Sequence, residues 1–227
     1  MKKYILITAA FALCVPFMPA CKDGSTSKVT TSDTAMKAHE AEMNDMKASG
    51  NTEHDNMMKT MMDDMSAVKM SGDFDVDFAN MMIPHHQSAV DMAQSYLPKG
   101  EDEKIKTIAK NIIDSQKKEI EELKTMTANH TPSAKKDEHA GAGHAGGEQN
   151  KLVESMNKMM NEMKGMKMTG DADKDFVMMM IPHHQSAVDM AENEISHGKH
   201  AEMKKFAQKV IDSQSKEIKE FKEWLKK

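Results

Sequence analysis

The thirteen-residue run Met-Met-Ile-Pro-His-His-Gln-Ser-Ala-Val-Asp-Met-Ala, from Met81 to Ala93, recurs letter for letter from Met179 to Ala191. The 98-residue offset extends beyond the block without a gap: Met58, Met61, Met62, Met65, Met70, Gly72 and Asp73 answer to Met156, Met159, Met160, Met163, Met168, Gly170 and Asp171. A duplication without gaps preserves the length of every helix and turn, so the chain is constrained to fold as two copies of one unit.

Hydrophobic periodicity makes that unit helical. Each repeat, about 53–127 and 151–227, reads as three helices. The first, about 53–69 and 151–167, is Met-rich and stops at Ser71-Gly72 or Thr169-Gly170. The second starts near Asp73 or Asp171, residues suited to an N-cap, and runs to about Tyr96 or Ile195. The third carries a stripe of Ile105, Ile108, Ile112 and Leu123 in one copy and Met203, Phe206, Val210 and Phe221 in the other. The expected fold is all-α: two tandem Met-rich helical-bundle repeats, of ferritin-like or four-helix-bundle type. Residues 128–150 between them form a His, Gly, Ala and Lys linker, flexible enough that the repeats need not pack in one fixed way.

The ends and the composition narrow the function. Residues 1–20, with Lys2 and Lys3, an apolar run and then Ala20-Cys21, read as an export signal. Cys21 stands where a lipoprotein is acylated, which predicts a periplasmic, membrane-tethered protein. Residues 21–52 read as a tether with a short helix bearing Met36, His39, Met43 and Met46 on one face. Apart from Cys14 and Cys21 the chain has no cysteine, which excludes a disulfide framework or a thiolate zinc site. All 31 basic residues are lysine, and the net charge is −5, so nucleic acid is not an expected partner. From Cys21 onward there are 24 Met and 4 Leu, an inversion of ordinary usage that asks for a chemical reason.

A helical projection of the second helix gathers Phe78, Met82, His85, Ala89, Met92 and Tyr96 on one side. Met81 and His86 fall on its edges, while Gln87, Val90 and Asp91 face away. Met81 and His85, and likewise Met82 and His86, are spaced i, i+4, so each imidazole has a thioether one turn below. Pro84 should kink the helix just before the histidines. In the third helix the apolar stripe also holds Gln116 and Glu119, matched by Gln214 and Glu217. A buried carboxylate is costly unless paired, so His85, Gln116 and Glu119 are expected to form one buried polar group.

Thioether sulfur is neutral, polarizable and never protonated. It suits Cu(I) and Ag(I) and serves Zn(II), Mg(II) or Ca(II) poorly, while imidazole adds affinity and also accepts Cu(II). A Met stripe is ordinarily core, but an ordinary core would use leucine. The candidate ligands are Met81, Met82, His85, His86 and Met92 with Met179, Met180, His183, His184 and Met190. Met58, Met61, Met62 and Met65, Met156, Met159, Met160 and Met163, and Met36, His39 and Met43 could supplement them. His54 with Met58, and His200 with Met203, share ligand spacing but lack a second copy. His130, His139 and His144 in the linker are weak candidates.

The duplicated block, followed by a helix with the pattern Ile-x-x-Ser-Gln-x-x-Glu-Ile, resembles domain-of-unknown-function family 305, an exported bacterial helical family that includes CopM-like copper-binding proteins. The resemblance covers both repeats. It implies a helical-bundle fold, a periplasmic location and binding of copper, with silver as surrogate, linked to metal tolerance. By matching positions it places the ligands at Met81, Met82, His85, His86 and Met92 and at Met179, Met180, His183, His184 and Met190. The leading expectation is therefore a non-enzymatic protein that sequesters Cu(I) or passes it to a copper exporter or metallochaperone. The competing one is a ferritin-like dinuclear-metal or cuprous oxidase. Di-iron bundles place Glu-x-x-His on two helices. Here that spacing occurs at Glu194 and His197, with Tyr96 and Lys99 in the matching places.

Overall fold

The computed structural model describes residues 52–130 and 149–227. The export signal, Cys21, the segment with Met36, His39 and Met43, and linker residues His139 and His144 lie outside them. Six α-helices and no strand occur among the described residues. They are α1 (Thr52–Ser66), α2 (Phe74–Tyr96), α3 (Glu103–Asn129), α4 (Gln149–Lys164), α5 (Ala172–His197) and α6 (Ala201–Trp224).

The same local chemistry builds both repeats. After α1 the chain turns through Gly72, and after α4 through Gly170, each at φ 85°. The carboxylate of Asp77 then accepts from the backbone of Ser71 and Gly72, and that of Asp175 from Thr169 and Gly170. Asp73 caps α2 by accepting from Val76 N, and Asp171 caps α5 by accepting from Lys174 N. A Cβ at Gly72 or Gly170 would meet nothing within 4 Å, so an alanine there costs only the left-handed backbone, about 1–2 kcal/mol. Urea denaturation of Gly72→Ala and Gly170→Ala should show that loss at an unchanged m-value; a variant as stable as the parent would contradict this turn geometry.

Both second helices run unbroken through their prolines, Pro84 and Pro182. Each folds back on the third helix of its own repeat, and each first helix lies on its second helix. The two repeats pack on one another. α2 packs on α5, and α4 touches both α1 and α2, so the repeats share one core. α3 and α6 are joined at the rim by Trp224 Nε1 donating to Asp102 (2.9 Å) and by Lys209 with Glu122 (3.0 Å).

The two copies are locked by an exchange of caps. Asp75 of α2 accepts from the backbone N–H of Lys199 and His200, at the entrance to α6. Asp173 of α5 accepts from Glu101 and Asp102, at the entrance to α3. These partners are themselves related by the 98-residue offset, the reciprocity expected of a two-fold interface, here built within one chain. Each carboxylate satisfies the orphan amides of a helix belonging to the other repeat.

Eleven methionines, among them Met58, Met61, Met156, Met159 and Met163, but only Leu123 and Leu152, are buried in that core. The replacement of leucine by thioether is therefore a property of the interior.

Candidate metal centre

α2 and α5 cross at their histidines. His85, His86, His183 and His184 are all fully buried, each at 0% exposure. Their rings form a row across both repeats. His86 and His85 have centroids 6.2 Å apart, His85 and His183 3.9 Å, and His183 and His184 6.3 Å. A carboxylate closes each end: His86 Nε2 lies 3.1 Å from Glu119 Oε2, and His184 Nε2 2.8 Å from Glu217 Oε2. These are ion-pair separations in which the ring N–H is not aligned for a full hydrogen bond.

This arrangement corrects the expected pairing. Glu119 meets His86, not His85, and His85 meets its own counterpart in the other repeat. His86 and His184, placed at the edge by the projection, are as buried as His85 and His183. Val90, expected to face away, is also fully buried. The reason is that α2 is covered on two sides, by α3 of its own repeat and by α5 of the other. Gln87 and Asp91 do face solvent and bond to one another (2.8 Å). Gln116 and Gln214 are buried as expected, with Gln116 Oε1 and both amide atoms of Gln214 lacking an aligned partner.

Hydrogen bonding bears on the tautomers. The Ser88 hydroxyl donates to the carbonyl of His85 (2.8 Å) and lies 2.7 Å from His183 Nε2. With that proton on the carbonyl it accepts from His183 Nε2–H, the tautomer whose Nδ1 is a lone pair; with the proton turned to Nε2 the roles reverse. At the ends of the row, the carboxylate beside Nε2 favours a proton on that nitrogen in His86 and His184. The Nδ1 atoms of His86, His183 and His184 have no aligned hydrogen-bond partner and neither nitrogen of His85 has one, the nearby His183 backbone being only the smallest influence on the His85 pKa. Burial, with the neighbouring imidazoles, holds His85 and His183 well below the ordinary histidine pKa, so both are neutral at neutral pH. A metal entering the row would displace no proton from them.

The thioethers of the block divide. Met81, Met82, Met92, Met180 and Met190 are buried in the shared core with Met58, Met61, Met156, Met159 and Met163, whereas Met62, Met65, Met160 and Met179 are half-buried. Among the described residues no group of three or more His, Cys, Asp or Glu converges as a metal-binding cluster. The soft donors therefore have to complete any site. The Glu194 and His197 spacing serves other contacts: Glu194 lies against Asp75, and the His197 ring packs at a tilt on Phe74 (5.5 Å). His130 reaches Asp73 (3.1 Å) and packs on His200 (5.5 Å).

Sequence reasoning missed Ser88 and the reciprocal caps Asp75 and Asp173. Ser88 lies within the duplicated block one turn after His85, a detectable signal. The aspartates look like ordinary first-turn acids, and nothing local shows that they reach the other repeat.

The family profile described as Domain of unknown function (DUF305) matches residues 22–127 and again residues 75–225. No curated protein matches. Among solved structures, CopM in the Ag-bound form is 34% identical, with 67% of this chain and 94% of that one covered and a TM-score of 0.48. CopM in the Cu(I)-bound form is 35% identical over 67% and 95%, again with a TM-score of 0.48. A DUF305 fragment from Deinococcus radiodurans is 21% identical over 67% and 95%, at 0.48. The two profile matches together span most of the sequence and include both copies of the Pro-His-His-Gln block, and the chain belongs to the DUF305 family.

Proposed function

We propose that this chain is an exported, non-enzymatic binder of Cu(I) and Ag(I) that sequesters the metal or hands it on, contributing to metal tolerance. The observation that carries the reading is the buried row of imidazoles whose Nδ1 atoms have no aligned partner, set in a core of thioethers. Leaving neutral polar atoms buried and unpaired costs about 1–3 kcal/mol each, and a binding role accounts for that cost. His85, His86, His183 and His184 would supply nitrogen, and of the duplicated methionines Met81, Met82, Met180 and Met190 would supply sulfur, Met92 and Met179 lining a separate cavity. Glu119, Glu217, Gln116 and Gln214 would orient the imidazoles. Imidazole also accepts Cu(II), so the same row could hold either oxidation state. CopM, about a third identical in sequence, is described in Ag-, Cu(I)- and Cu(II)-bound forms.

Export and acylation at Cys21 would place the protein in the periplasm, where thioethers escape the disulfide chemistry that thiols undergo. Among the described residues no helix is long and apolar enough to cross a membrane. A copper exporter or metallochaperone is the partner this role calls for.

Competition titrations of the purified protein with Cu(I), Ag(I), Cu(II) and Zn(II) test the reading. Preference for the monovalent ions over Zn(II) by at least about 100-fold, or about 2.8 kcal/mol, is the expected result. Tight Zn(II) or Fe(II) binding with oxygen consumption would point to the dinuclear oxidase instead.

A further inference from the structure

A cavity of about 210 Å³, whose lining includes none of the four row histidines, opens between the repeats. Its walls come from four elements: His54 and Met57 on α1, Met92 and Tyr96 on α2, Met168 in the turn before α5, and Met179 on α5. Four thioethers and one imidazole thus face a common space. His54 is only 7% exposed, and its Nε2 has no hydrogen-bond partner.

The duplication supplies an internal control. At the 98-residue offset, His54 and Met57 correspond to Leu152 and Ser155, and Ala172 on the cavity wall corresponds to Phe74. In that other half Leu152 is fully buried, Ser155 donates to its own helix at Lys151 O, and Phe74 packs on His197. The positions have diverged in a correlated way. One half carries a leucine, a serine and a bulky ring; the other carries an imidazole, an added thioether and a methyl group that leaves room beside them. A simple packing role would favour the leucine and phenylalanine already present in the first solution, since interiors reward filled volume.

We propose that this cavity is a second site for a soft monovalent cation, Cu(I) or Ag(I), held by His54 and by thioethers drawn from Met57, Met92, Met168 and Met179. The proposal rests on the soft-metal reading above and extends it to an asymmetric, inter-repeat position. The imidazole and thioether donors are neutral, so the cation keeps its charge and their softness favours a monovalent soft ion; Lys99 and Asp175 also line the wall, one charge of each sign. Met57, Met168 and Met179 are half-buried, which gives the site access to solvent that the fully buried histidine row lacks. It is the position at which metal would first be captured.

The test is an Ag(I) titration of the full chain with its methionine methyls labelled with carbon-13, read by NMR. Methyls of Met57, Met92, Met168 and Met179 should shift together and saturate at about one equivalent. His54→Leu/Met57→Leu/Met168→Leu, which copies Leu152 and preserves volume at the two methionines, should bind one Ag(I) fewer in native mass spectrometry. Shifts confined to other methionines such as Met82 and Met180, with these four unmoved, overturn the proposal and leave the soft-metal reading standing. An absence of shifts at every methionine overturns both.

Discussion

Replacing His85 by leucine should make the metal-free protein more stable and the metal-binding protein worse. His85 is completely buried, neither ring nitrogen has an aligned hydrogen-bond partner, and its pKa is held down by burial. A side chain of similar bulk without polar atoms removes that desolvation cost, so His85→Leu is expected to gain about 1–3 kcal/mol. In a chain of this size that raises Tm by about 2–4 °C per kcal/mol. His183 is the control: its Nε2 has Ser88, so His183→Leu strands a hydroxyl contact and should gain less. For Ag(I), loss of both imidazoles in His85→Leu/His183→Leu should weaken binding at the row by about tenfold or more, about 1.4 kcal/mol. Calorimetric melting and silver titration of the same samples decide the matter. A destabilised His85→Leu would mean that the imidazole is a structural fixture of the core, and unchanged silver affinity in the double variant would remove the central histidines from the site.

This opposition between stability and binding is what a preformed soft-metal site predicts, because groups held ready for a ligand are badly solvated without it. It also explains why the histidine row could be read only in part from the sequence. The helices, their caps at Asp73 and Asp171 and the buried stripe of α3 follow from period 3.6 and from local chemistry. The inward placement of Gln116 and Glu119 followed as well, because an interrupted apolar stripe shows in any projection. The partner of Glu119 did not follow. A projection assumes one buried face, whereas α2 is buried on two, so it places His86 at the edge and Val90 outward although both are at 0% exposure. The contact of His85 with His183 joins residues 98 positions apart and carries no local signature. The same holds for Asp75 and Asp173, whose partners lie at the start of a helix in the other repeat.

Those reciprocal caps also set an expected pH dependence, because the side chain beside each cap differs between the two halves. In one half, the Tyr96 hydroxyl donates to Asp173 (2.5 Å), and burial followed by that bond raises its pKa beyond the working range. In the other half the corresponding residue is Glu194, fully buried against Asp75, with neither carboxyl oxygen receiving a bond from another donor. Asp75 is already the acceptor for two backbone amides, so the proton between the acids resides on Glu194, whose pKa is pushed up to about 9, first by burial and then by Asp75. A Cβ at Gly198 would collide with the Glu194 carboxyl, so the side chain cannot move aside without disturbing the turn into α6. The folded state thus holds a proton that the unfolded chain releases near pH 4.5. The contribution is complete below about pH 4.5, declines as pH rises, and is gone above about 9, a change on the order of 5 kcal/mol across the window. Glu194→Gln keeps the shape, donates an N–H to Asp75 and cannot ionise. The difference in unfolding free energy between variant and parent, which cancels the histidines common to both, should therefore grow in favour of the variant from pH 5 to pH 9. Parallel stability curves over that range would show that Glu194 is ionised in the fold and that Asp75 tolerates a second charge beside it.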